Sequence, residues 1–269
     1  MPDVGLVHVE VSAGVGLLRL DDPGRRNALS PAMVDEIVTA VAALEAEPSV
    51  GALVVTGAPP AFCAGADLSD LGASRDSRTA GLRRIYEGFL AVARSPLPTI
   101  AAVNGAAVGA GMNLALGCDM RLAGRRARFD TRFLQLGLHP GGGHTWMLQR
   151  AVGQQAALAT LLFGEVLDGE AAERVGLAWR CLDDADLLDG ALAMARSCAE
   201  GPHELARRIK ATVRRQAGVA DHDEAVDLEL AEQLWSLDQP DFAERLAALE
   251  ERIAAKQRGG AVGRPDAPA

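Results

Sequence analysis

Glycines crowd two segments in which the chain could bring backbone amides close to a bound ligand. One segment is "ALVVTGAPPAFCAGADLSDL" (52–71), and the other is "TIAAVNGAAVGAGMNLAL" (99–116). Each reads as a buried strand, a glycine-rich turn and the start of a helix. The first N–H groups of a helix have no partner within the helix, and small residues let a ligand approach them. If the two turns converge, one amide from each could hold a single carbonyl oxygen, as in an oxyanion hole.

Either glycine segment alone also has a simpler interpretation. Close packing of a strand against a helix needs small residues as well, and short glycine motifs are weak signals. A dinucleotide-binding loop fits poorly, because Leu114 stands where the third glycine of that motif belongs. The ligand-binding interpretation therefore depends on both segments acting together.

Four side chains beyond these glycines could add polar or proton-transfer chemistry. Asn113 can orient a water or a substrate oxygen, but a carboxamide does not exchange protons at neutral pH. Asp130, in "ARFD", is a carboxylate, although aspartate is also common in turns. His139 and His144 flank "PGGG", and an unperturbed histidine pKa of about 6.5 suits proton transfer. Their i, i+5 spacing, with no third Cys or His nearby, predicts no metal site.

Hydrophobic patterning predicts the elements that must position these residues. "GLVHVEV" and "GVGLLRL" predict a β-hairpin, and "GALVVTG", "LPTIAAVNG", "MRLAG" and "ARFD" predict further strands. Ser30 and Pro31 predict the N-cap and first turn of a helix, and residues 79–94 predict another helix. The buried face of the first helix is predicted to comprise Val34, Ile37, Val38, Val41 and Leu44.

The second half of the chain is predicted to be mostly helical. Helices are expected after "GGGH", from Asp168 or Glu170, and over residues 185–199, 202–216, 222–237 and 241–257, with "LAWRCL" as a last strand. Alternating strands and helices followed by helices alone predict an α/β core with a helical appendage. We place the core at residues 1–200, the C-terminal helical region at 201–258 and a disordered tail at 259–269.

Composition narrows the classes of function. The chain has 269 residues, of which 49% are hydrophobic, so it can bury a large core. Its net charge of −9 and its few aromatic residues argue against nucleic-acid binding. It contains neither an apolar run of about 18 residues nor a secretory signal, so no membrane association is expected. The four cysteines are scattered, which favours a reduced, cytoplasmic location.

Several blocks of the sequence closely resemble the enoyl-CoA hydratase/isomerase (crotonase) superfamily. They are "AFCAGADL", "PTIAAVNGAAVGAGMNLALGCDMRLAG", "ARFDTRF", "LGLHPGGGHTWMLQRAVG" and "EAAERVGLAWRCL". The resemblance runs from about residue 4 to residue 255, in the order and spacing of the family. It implies a spiral of ββα units with a C-terminal helical trimerisation region, and a homotrimer or a dimer of trimers.

The resemblance also implies a site for a small acyl-CoA molecule, with no tightly bound cofactor. The N–H groups of Ala66 and Ala110 would hold the thioester oxyanion. Arg25 and Arg26, in "DPGRRNALS", match a loop that lies near the nucleotide of coenzyme A, although a solvated charged turn is an equal alternative. The other residues expected along the CoA thioester are Ala64, Gly65, Asp67, Leu68, Gly109 and Gly111.

Two positions depart from the family pattern. Where family hydratases carry catalytic glutamates, this sequence has Asn113 and Phe133, and neither side chain can transfer a proton. Asp130, His139 and His144 are the candidate substitutes. Three hypotheses follow: a hydratase-like enzyme that acts on acyl- or enoyl-CoA, a non-catalytic acyl-CoA-binding protein, and another crotonase reaction (decarboxylation, thioester hydrolysis or isomerisation) that uses one of the histidines.

Overall fold

The computed structural model describes residues 5–67 and 79–260. Its contacts divide the chain into two units, with the division between Arg207 and Arg208. The first unit contains both glycine segments together with all the strands described below. The described residues of the second unit, 208–260, are mostly helical.

The larger sheet of the first unit has six strands. In spatial order they are β1 (Val7–Ser12), β2 (Val15–Leu20), β3 (Ala52–Gly57), β5 (Thr99–Val103), β7 (Met120–Gly124) and β10 (Arg180–Leu182). The first two strands form the predicted antiparallel hairpin, and the remaining neighbours pair in parallel. Every residue of β3 and β5 is buried, as their continuous apolar runs predict.

The smaller sheet positions the two glycine turns side by side. Its strands, in order, are β4 (Ala61–Cys63), β6 (Ala106–Val108), β8 (Arg128–Asp130) and β9 (Leu167–Asp168). Strands β4, β6 and β8 pair in parallel, so their carboxyl ends meet at one edge of the sheet. One glycine turn follows β4 and the other follows β6. Both turns therefore lie at this edge of the sheet, together with the segment that begins at Thr131.

Helices cover these sheets in the first unit. Their bounds are α1 (Pro31–Ala46), α2 (Thr79–Arg94), α3 (Ala110–Gly117), α4 (His144–Phe163), α5 (Gly169–Arg174) and α6 (Leu187–Ala199), with α7 (His203–Gln216) crossing into the second unit. Ser30 caps α1 as predicted, because its hydroxyl accepts from the Met33 amide at 3.3 Å. The predicted buried face of α1 is wrong at Val38, which is 38% exposed, whereas the other four residues are buried.

The long helix α4 is interrupted at Gly153. That residue has φ +74° and ψ 171°, so two helical segments meet there at a kink. Only glycine adopts this conformation readily, and a kink lets the two segments follow different directions. The first segment begins at His144, and the second ends at Phe163 with Gly164 in the left-handed conformation.

The second unit contains the end of α7 followed by α8 (His222–Leu237) and α9 (Pro240–Gly260). Arg208 joins two of these helices, because it lies 2.8 Å from Glu232 and 3.9 Å above the Trp235 ring. Exposed apolar side chains of this unit include Leu230, Leu234, Leu237, Leu246, Leu249 and Ile253. These side chains are between 43% and 55% exposed, so the described residues leave about half of each uncovered.

Candidate functional site

A cavity of about 560 Å³ opens at the edge of the smaller sheet where both glycine turns emerge. Its wall combines the two turns, one side of α2 and the segment from β8 to Gly141. The lining residues are Arg26, Ala64, Gly65, Ala66, Leu82, Ile85, Tyr86, Ala106, Val108, Gly109, Ala110, Asn113, Arg128, Asp130, Thr131, Arg132, Phe133, Leu136, Leu138, His139, Gly141 and Val166.

The two glycine turns touch each other. Gly65 has φ +101°, and a Cβ at this position would lie 2.7 Å from the carbonyl oxygen of Val108 and 3.8 Å from the Ala110 nitrogen. Gly109 has φ +51°, a conformation that favours glycine, and it turns the chain from β6 into α3. The structure thus brings together the loops that the sequence predicts to converge, and glycine is required in both of them.

Two amides of these turns are left without an acceptor. Leu29 donates to the Gly65 carbonyl at 2.7 Å and accepts from the Asp67 amide at 3.4 Å. Leu29 and Ala66 thus form a parallel bridge, in which Leu29 bonds to the residues on either side of Ala66. The N–H of Ala66 therefore points away from Leu29. Ala110 is the first residue of α3, whose first N–H groups have no partner within the helix. Within residues 5–67 and 79–260, neither amide has a hydrogen-bond acceptor.

Asn113 lies one turn further along α3 and is fixed at both ends of its amide. Its Nδ2 donates to the Gly141 carbonyl at 3.0 Å, and its Oδ1 lies 2.6 Å from His144 Nδ1. An amide oxygen can only accept, so His144 donates from Nδ1. Asn113 is 2% exposed and lines the cavity.

His144 lies behind the cavity wall and does not line it. The residue is 1% exposed, and its burial lowers the imidazole pKa to about 4. The Phe133 ring packs against the imidazole with its centroid 4.9 Å away, in an edge-to-face arrangement. His144 Nε2 is buried and has no partner among the described residues. His144 is therefore neutral at pH 7, and its side chain contacts two residues of the cavity wall, Asn113 and Phe133.

Asp130 and His139 are the predicted proton-transfer residues that do line the cavity. Asp130 is 7% exposed, and its Oδ2 accepts from Arg132 Nε at 3.0 Å and from Arg132 Nη2 at 2.5 Å. Its carbonyl oxygen accepts from the Gly109 amide at 2.9 Å, so the carboxylate belongs to a segment bonded to the second turn. His139 is exposed, and its Nδ1 lies 2.7 Å from the Pro140 carbonyl.

The predicted CoA-binding residues separate into groups. Ala64, Gly65, Gly109 and Arg26 line the cavity. Three residues, Arg25, Asp67 and Gly111, do not line it. Arg25 pairs with Asp22 at 2.7 Å and lies 3.9 Å from Asp67, and Gly111 is a buried residue of α3. Leu68 lies outside the described residues.

Tyr86 and Arg132 are cavity residues that the sequence reasoning missed. Tyr86, the one tyrosine of the chain, lies so close to Gly141 that a Cβ there would collide with its hydroxyl. Tyr86 follows Ile85 directly on the predicted helix over residues 79–94, and this neighbourhood could have indicated that it lies near the buried face of that helix. Arg132 follows Asp130 by two residues in "ARFDTRF", and that spacing of opposite charges could have indicated the pair.

Two properties of the described residues bear on the class of site. Among residues 5–67 and 79–260, no group of three or more His, Cys, Asp and Glu side chains could hold a metal ion. In the same part of the chain, each helix is too short or too polar to cross a membrane.

Known proteins of one family match nearly the whole chain. The profile of the enoyl-CoA hydratase/isomerase family matches residues 10–256. EchA14 of Mycobacterium tuberculosis, named a probable enoyl-CoA hydratase, is 51% identical over 252 residues, which cover 91% of this chain and 98% of that protein. The 1,2-epoxyphenylacetyl-CoA isomerase of Escherichia coli K12 is 35% identical over 248 residues, which cover 90% and 94% respectively.

Solved structures agree with these sequence relatives. The crystal structure of enoyl-CoA hydratase from Bacillus anthracis matches with a TM-score of 0.87 and 26% identity, over 92% of this chain and 96% of that chain. The α/β architecture described above is therefore the crotonase fold. The family match extends far beyond half of the sequence, and the chain belongs to the enoyl-CoA hydratase/isomerase (crotonase) family.

Proposed function

We propose that the protein is an enzyme that binds an acyl-CoA thioester and stabilises its enolate oxygen with the N–H groups of Ala66 and Ala110. The observation that carries this proposal is the pair of unbonded amides on touching turns, in the wall of one cavity. Preorganised donors of this kind lower the energy of a developing oxyanion, and each contributes about 3–4 kcal/mol in well-studied cases.

Asp130 is the proposed proton acceptor of this enzyme. Both bonds from Arg132 go to Oδ2, so Oδ1 has no partner among the described residues. The carboxylate lies in the cavity wall, on a segment bonded to the turn that supplies Ala110. Geometry thus favours Asp130 over His144, which does not line the cavity, and over His139, which lies at an exposed position.

Isomerisation of an enoyl-CoA is the reaction that this set of groups supports best. Moving a double bond needs one base, which removes a proton from one carbon and returns it to another through a dienolate. Hydration also needs a water to be activated, and the two positions assigned by resemblance to that task carry Asn113 and Phe133. The relatives named above include a probable enoyl-CoA hydratase and a 1,2-epoxyphenylacetyl-CoA isomerase, so the choice of reaction rests on the side chains of the site and not on those names. We expect hydration of crotonyl-CoA to stay near background.

Deuterium exchange tests the enolate step independently of the overall reaction. In D₂O the wild-type protein should exchange the α-protons of butyryl-CoA, measured by mass spectrometry. Ala110→Pro removes the N–H but suits the first position of a helix, whereas Ala110→Ser retains the N–H. We expect Ala110→Pro to lower exchange by about 10²–10³-fold and Ala110→Ser to stay close to wild type. Equal exchange by both variants, with both folded, would refute the oxyanion assignment.

A non-catalytic acyl-CoA-binding protein is the second candidate function. It is favoured by Asn113 and Phe133, because a binder needs the amide pair but no proton-transfer side chain at those positions. The same measurements separate the two functions. Tight binding of butyryl-CoA by calorimetry without any deuterium exchange would favour the binder, and exchange would exclude it.

Two further parts of the proposal concern binding partners. Arg26, exposed in the cavity wall, is proposed to contact a phosphate of coenzyme A. The exposed apolar side chains of the second unit support self-association into a homotrimer or a dimer of trimers, which light scattering would measure. We expect the protein to function in the cytoplasm.

A further inference from the structure

Tyr86 contributes a phenolic hydroxyl to the cavity wall, and the proposed function gives that group no role. We propose that Tyr86 is the proton donor that completes the isomerisation, at the carbon γ to the thioester. Asp130 takes a proton from the α-carbon, and Tyr86 performs the return of a proton that a single base would otherwise perform. The inference rests on the proposed function, because it requires a dienolate held by the amides of Ala66 and Ala110.

The hydroxyl of Tyr86 is available to a ligand. Within residues 5–67 and 79–260 it has no hydrogen-bond partner, and it is not fully enclosed. Leu82 and Ile85 are the other described residues of α2 in the wall, and both are apolar. A phenolic hydroxyl can donate or accept a hydrogen bond, and tyrosine is one of the side chains that act as general acids and bases. Tyr86 is therefore the residue through which α2 can supply a proton to the cavity.

Packing holds the Tyr86 ring in place. Its centroid lies 5.5 Å from that of Phe89, whose side chain is fully buried. On another side, Gly141 borders the hydroxyl so closely that a Cβ on Gly141 would collide with it. A proton donor must be held within hydrogen-bond reach of the atom that it serves, so a ring fixed by its neighbours suits this role.

Asp130 lies beside the turn that binds the thioester oxygen in the proposed function. It pairs with Val108 in the smaller sheet, and its carbonyl oxygen accepts from the Gly109 amide at 2.9 Å. The next residue, Ala110, supplies one of the two oxyanion amides. The α-carbon of a thioester is bonded to the carbonyl carbon, so it is the carbon of the acyl chain that stays nearest to this turn. Asp130 is therefore placed to serve the α-carbon.

Tyr86 lies further along the wall from that turn. Asn113 follows Ala110 by three residues on α3, and its Nδ2 donates to the Gly141 carbonyl at 3.0 Å. Gly141 in turn borders the Tyr86 hydroxyl. Positions three residues apart on a helix are already about 5–6 Å apart, so an acyl chain bound at Ala110 meets Tyr86 with a carbon beyond the α-carbon. In a dienolate, the carbon beyond it that accepts a proton is the γ-carbon.

The two proton transfers balance in atoms and electrons. Asp130 removes a proton from C2 of a 3-enoyl-CoA, and the electron pair of that C–H bond forms the dienolate. The charge on the thioester oxygen then returns to re-form the carbonyl, the C2=C3 bond forms, and the former C3=C4 pair takes the hydroxyl proton of Tyr86 to make a C4–H bond. Water in the cavity afterwards accepts the proton from Asp130 and supplies one to the phenolate.

The origin of the hydrogen at C4 tests the inference. A tyrosine hydroxyl exchanges with solvent, so wild type should form 2-hexenoyl-CoA from 3-hexenoyl-CoA in D₂O with solvent deuterium at C4, measured by NMR. A single base that carries the proton would instead move hydrogen from C2 to C4. Such a transfer by wild type, from a substrate deuterated at C2 in ordinary water, would overturn the inference.

A variant pair on α2 separates the second proton transfer from the first. Tyr86→Phe keeps the ring beside Phe89 but removes the hydroxyl. We expect it to isomerise 3-hexenoyl-CoA about 100-fold or more slowly, while it exchanges the α-protons of butyryl-CoA within about threefold of the wild-type rate. Glu87→Gln changes an exposed neighbour outside the cavity wall and should isomerise at the wild-type rate. Equal isomerisation by both variants would overturn the inference.

Replacement of tyrosine by 3-fluorotyrosine tests the role without a change of fold. The chain contains one tyrosine, so biosynthetic incorporation alters this residue alone. Fluorine makes a phenol more acidic, and isomerisation should therefore be lost at a lower alkaline pH than in wild type. Incorporation leaves unchanged the other ionisable groups of the described wall, which are Arg26, Arg128, Asp130, Arg132 and His139. An unchanged pH profile would contradict a proton-donor role, since a structural role alone would not move it.

The outcomes also separate this inference from the proposed function. If wild type exchanges the α-protons of butyryl-CoA and Tyr86→Phe isomerises 3-hexenoyl-CoA as fast as wild type, the inference fails and the proposed function stands. If wild type exchanges α-protons but does not isomerise 3-hexenoyl-CoA, the inference fails and the oxyanion assignment stands. If wild type does neither, both fail.

Discussion

Gly111 rests directly on the backbone of Cys63, so closely that a Cβ on Gly111 would collide with the Cys63 carbonyl oxygen. This contact joins helix α3 to strand β4, and the two elements lead to the turns that carry Ala110 and Ala66. Cys63 is fully buried, and its burial raises the pKa of the thiol to about 12, so its part in the site is structural. The spacing between the two amides thus depends on a residue that does not line the cavity.

Substitution of Gly111 tests this dependence. Gly111→Ala should lower the free energy of unfolding by about 1–3 kcal/mol, because the helix must move away from the strand to admit the methyl group. Deuterium exchange should fall as well, since the amides separate. Gly218→Ala is the matched control, because a Cβ there would meet only Arg215 oxygen at 3.8 Å. Urea unfolding measures the free energy of unfolding of both variants. Equal values for Gly111→Ala and Gly218→Ala would contradict a tight contact between Gly111 and Cys63.

Asp130 should control proton transfer. We expect Asp130→Asn to lower α-proton exchange by about 100-fold or more, because an amide of the same shape cannot accept the proton. His139→Gln should change exchange only a few-fold, since His139 lies at an exposed position of the wall. Both variants should still bind butyryl-CoA in calorimetry. The reverse order of effects would assign the base to His139.

His144 should make stability depend on pH. Its pKa is about 4 in the folded protein, below the ordinary value of 6.5, so the unfolded chain binds more protons between these values. The contribution of His144 to the free energy of unfolding is therefore constant above about pH 6.5 and falls by roughly 2–3 kcal/mol as the pH drops toward 4. Urea unfolding at several pH values should show a smaller acid loss in His144→Gln. If the free energy of unfolding changed with pH in the same way in wild type and His144→Gln, a buried, neutral imidazole at His144 would be ruled out.

Arg26 should bind the phosphates of coenzyme A. Arg26→Leu is expected to weaken butyryl-CoA binding by about 5- to 10-fold at low salt, and by less at high salt because ions screen the charge. Arg126→Leu is the matched control, because that arginine is exposed, pairs with Asp184 and does not line the cavity. Calorimetry at two salt concentrations makes the comparison. If Arg126→Leu weakened butyryl-CoA binding as much as Arg26→Leu, the effect would be due to the net charge of the protein and not to a contact from Arg26.

Much of the fold was predictable because local rules act within each segment. Ser30 followed by Pro31 indicates a helix start from capping alone, and the apolar runs of β3 and β5 indicate strands buried on both faces. Val38 was predicted wrongly, because its place on the helix face does not say how far the elements packed against α1 extend. The interruption of α4 at Gly153 likewise depends on a conformation that glycine permits but does not require.

Within the site, sequence reasoning identified the residues but could not say which of them share a surface. His139 and His144 look alike in sequence, yet one lines the cavity and the other lies behind Asn113 and Phe133. Arg25 and Arg26 are neighbours, yet Arg25 is held by Asp22 while Arg26 lies in the wall. Which way each side chain points follows from packing between distant segments.

The sequence by itself determined the two glycine turns, the strands that precede them and the loss of carboxylates at Asn113 and Phe133, because these depend on residue type and local spacing. Only the tertiary structure decided that the turns touch, that Asn113 is fixed between Gly141 and His144, and that Asp130 lines the same cavity. Parallel pairing of β4, β6 and β8 brings segments far apart in sequence to one sheet edge, and no local pattern specifies that pairing.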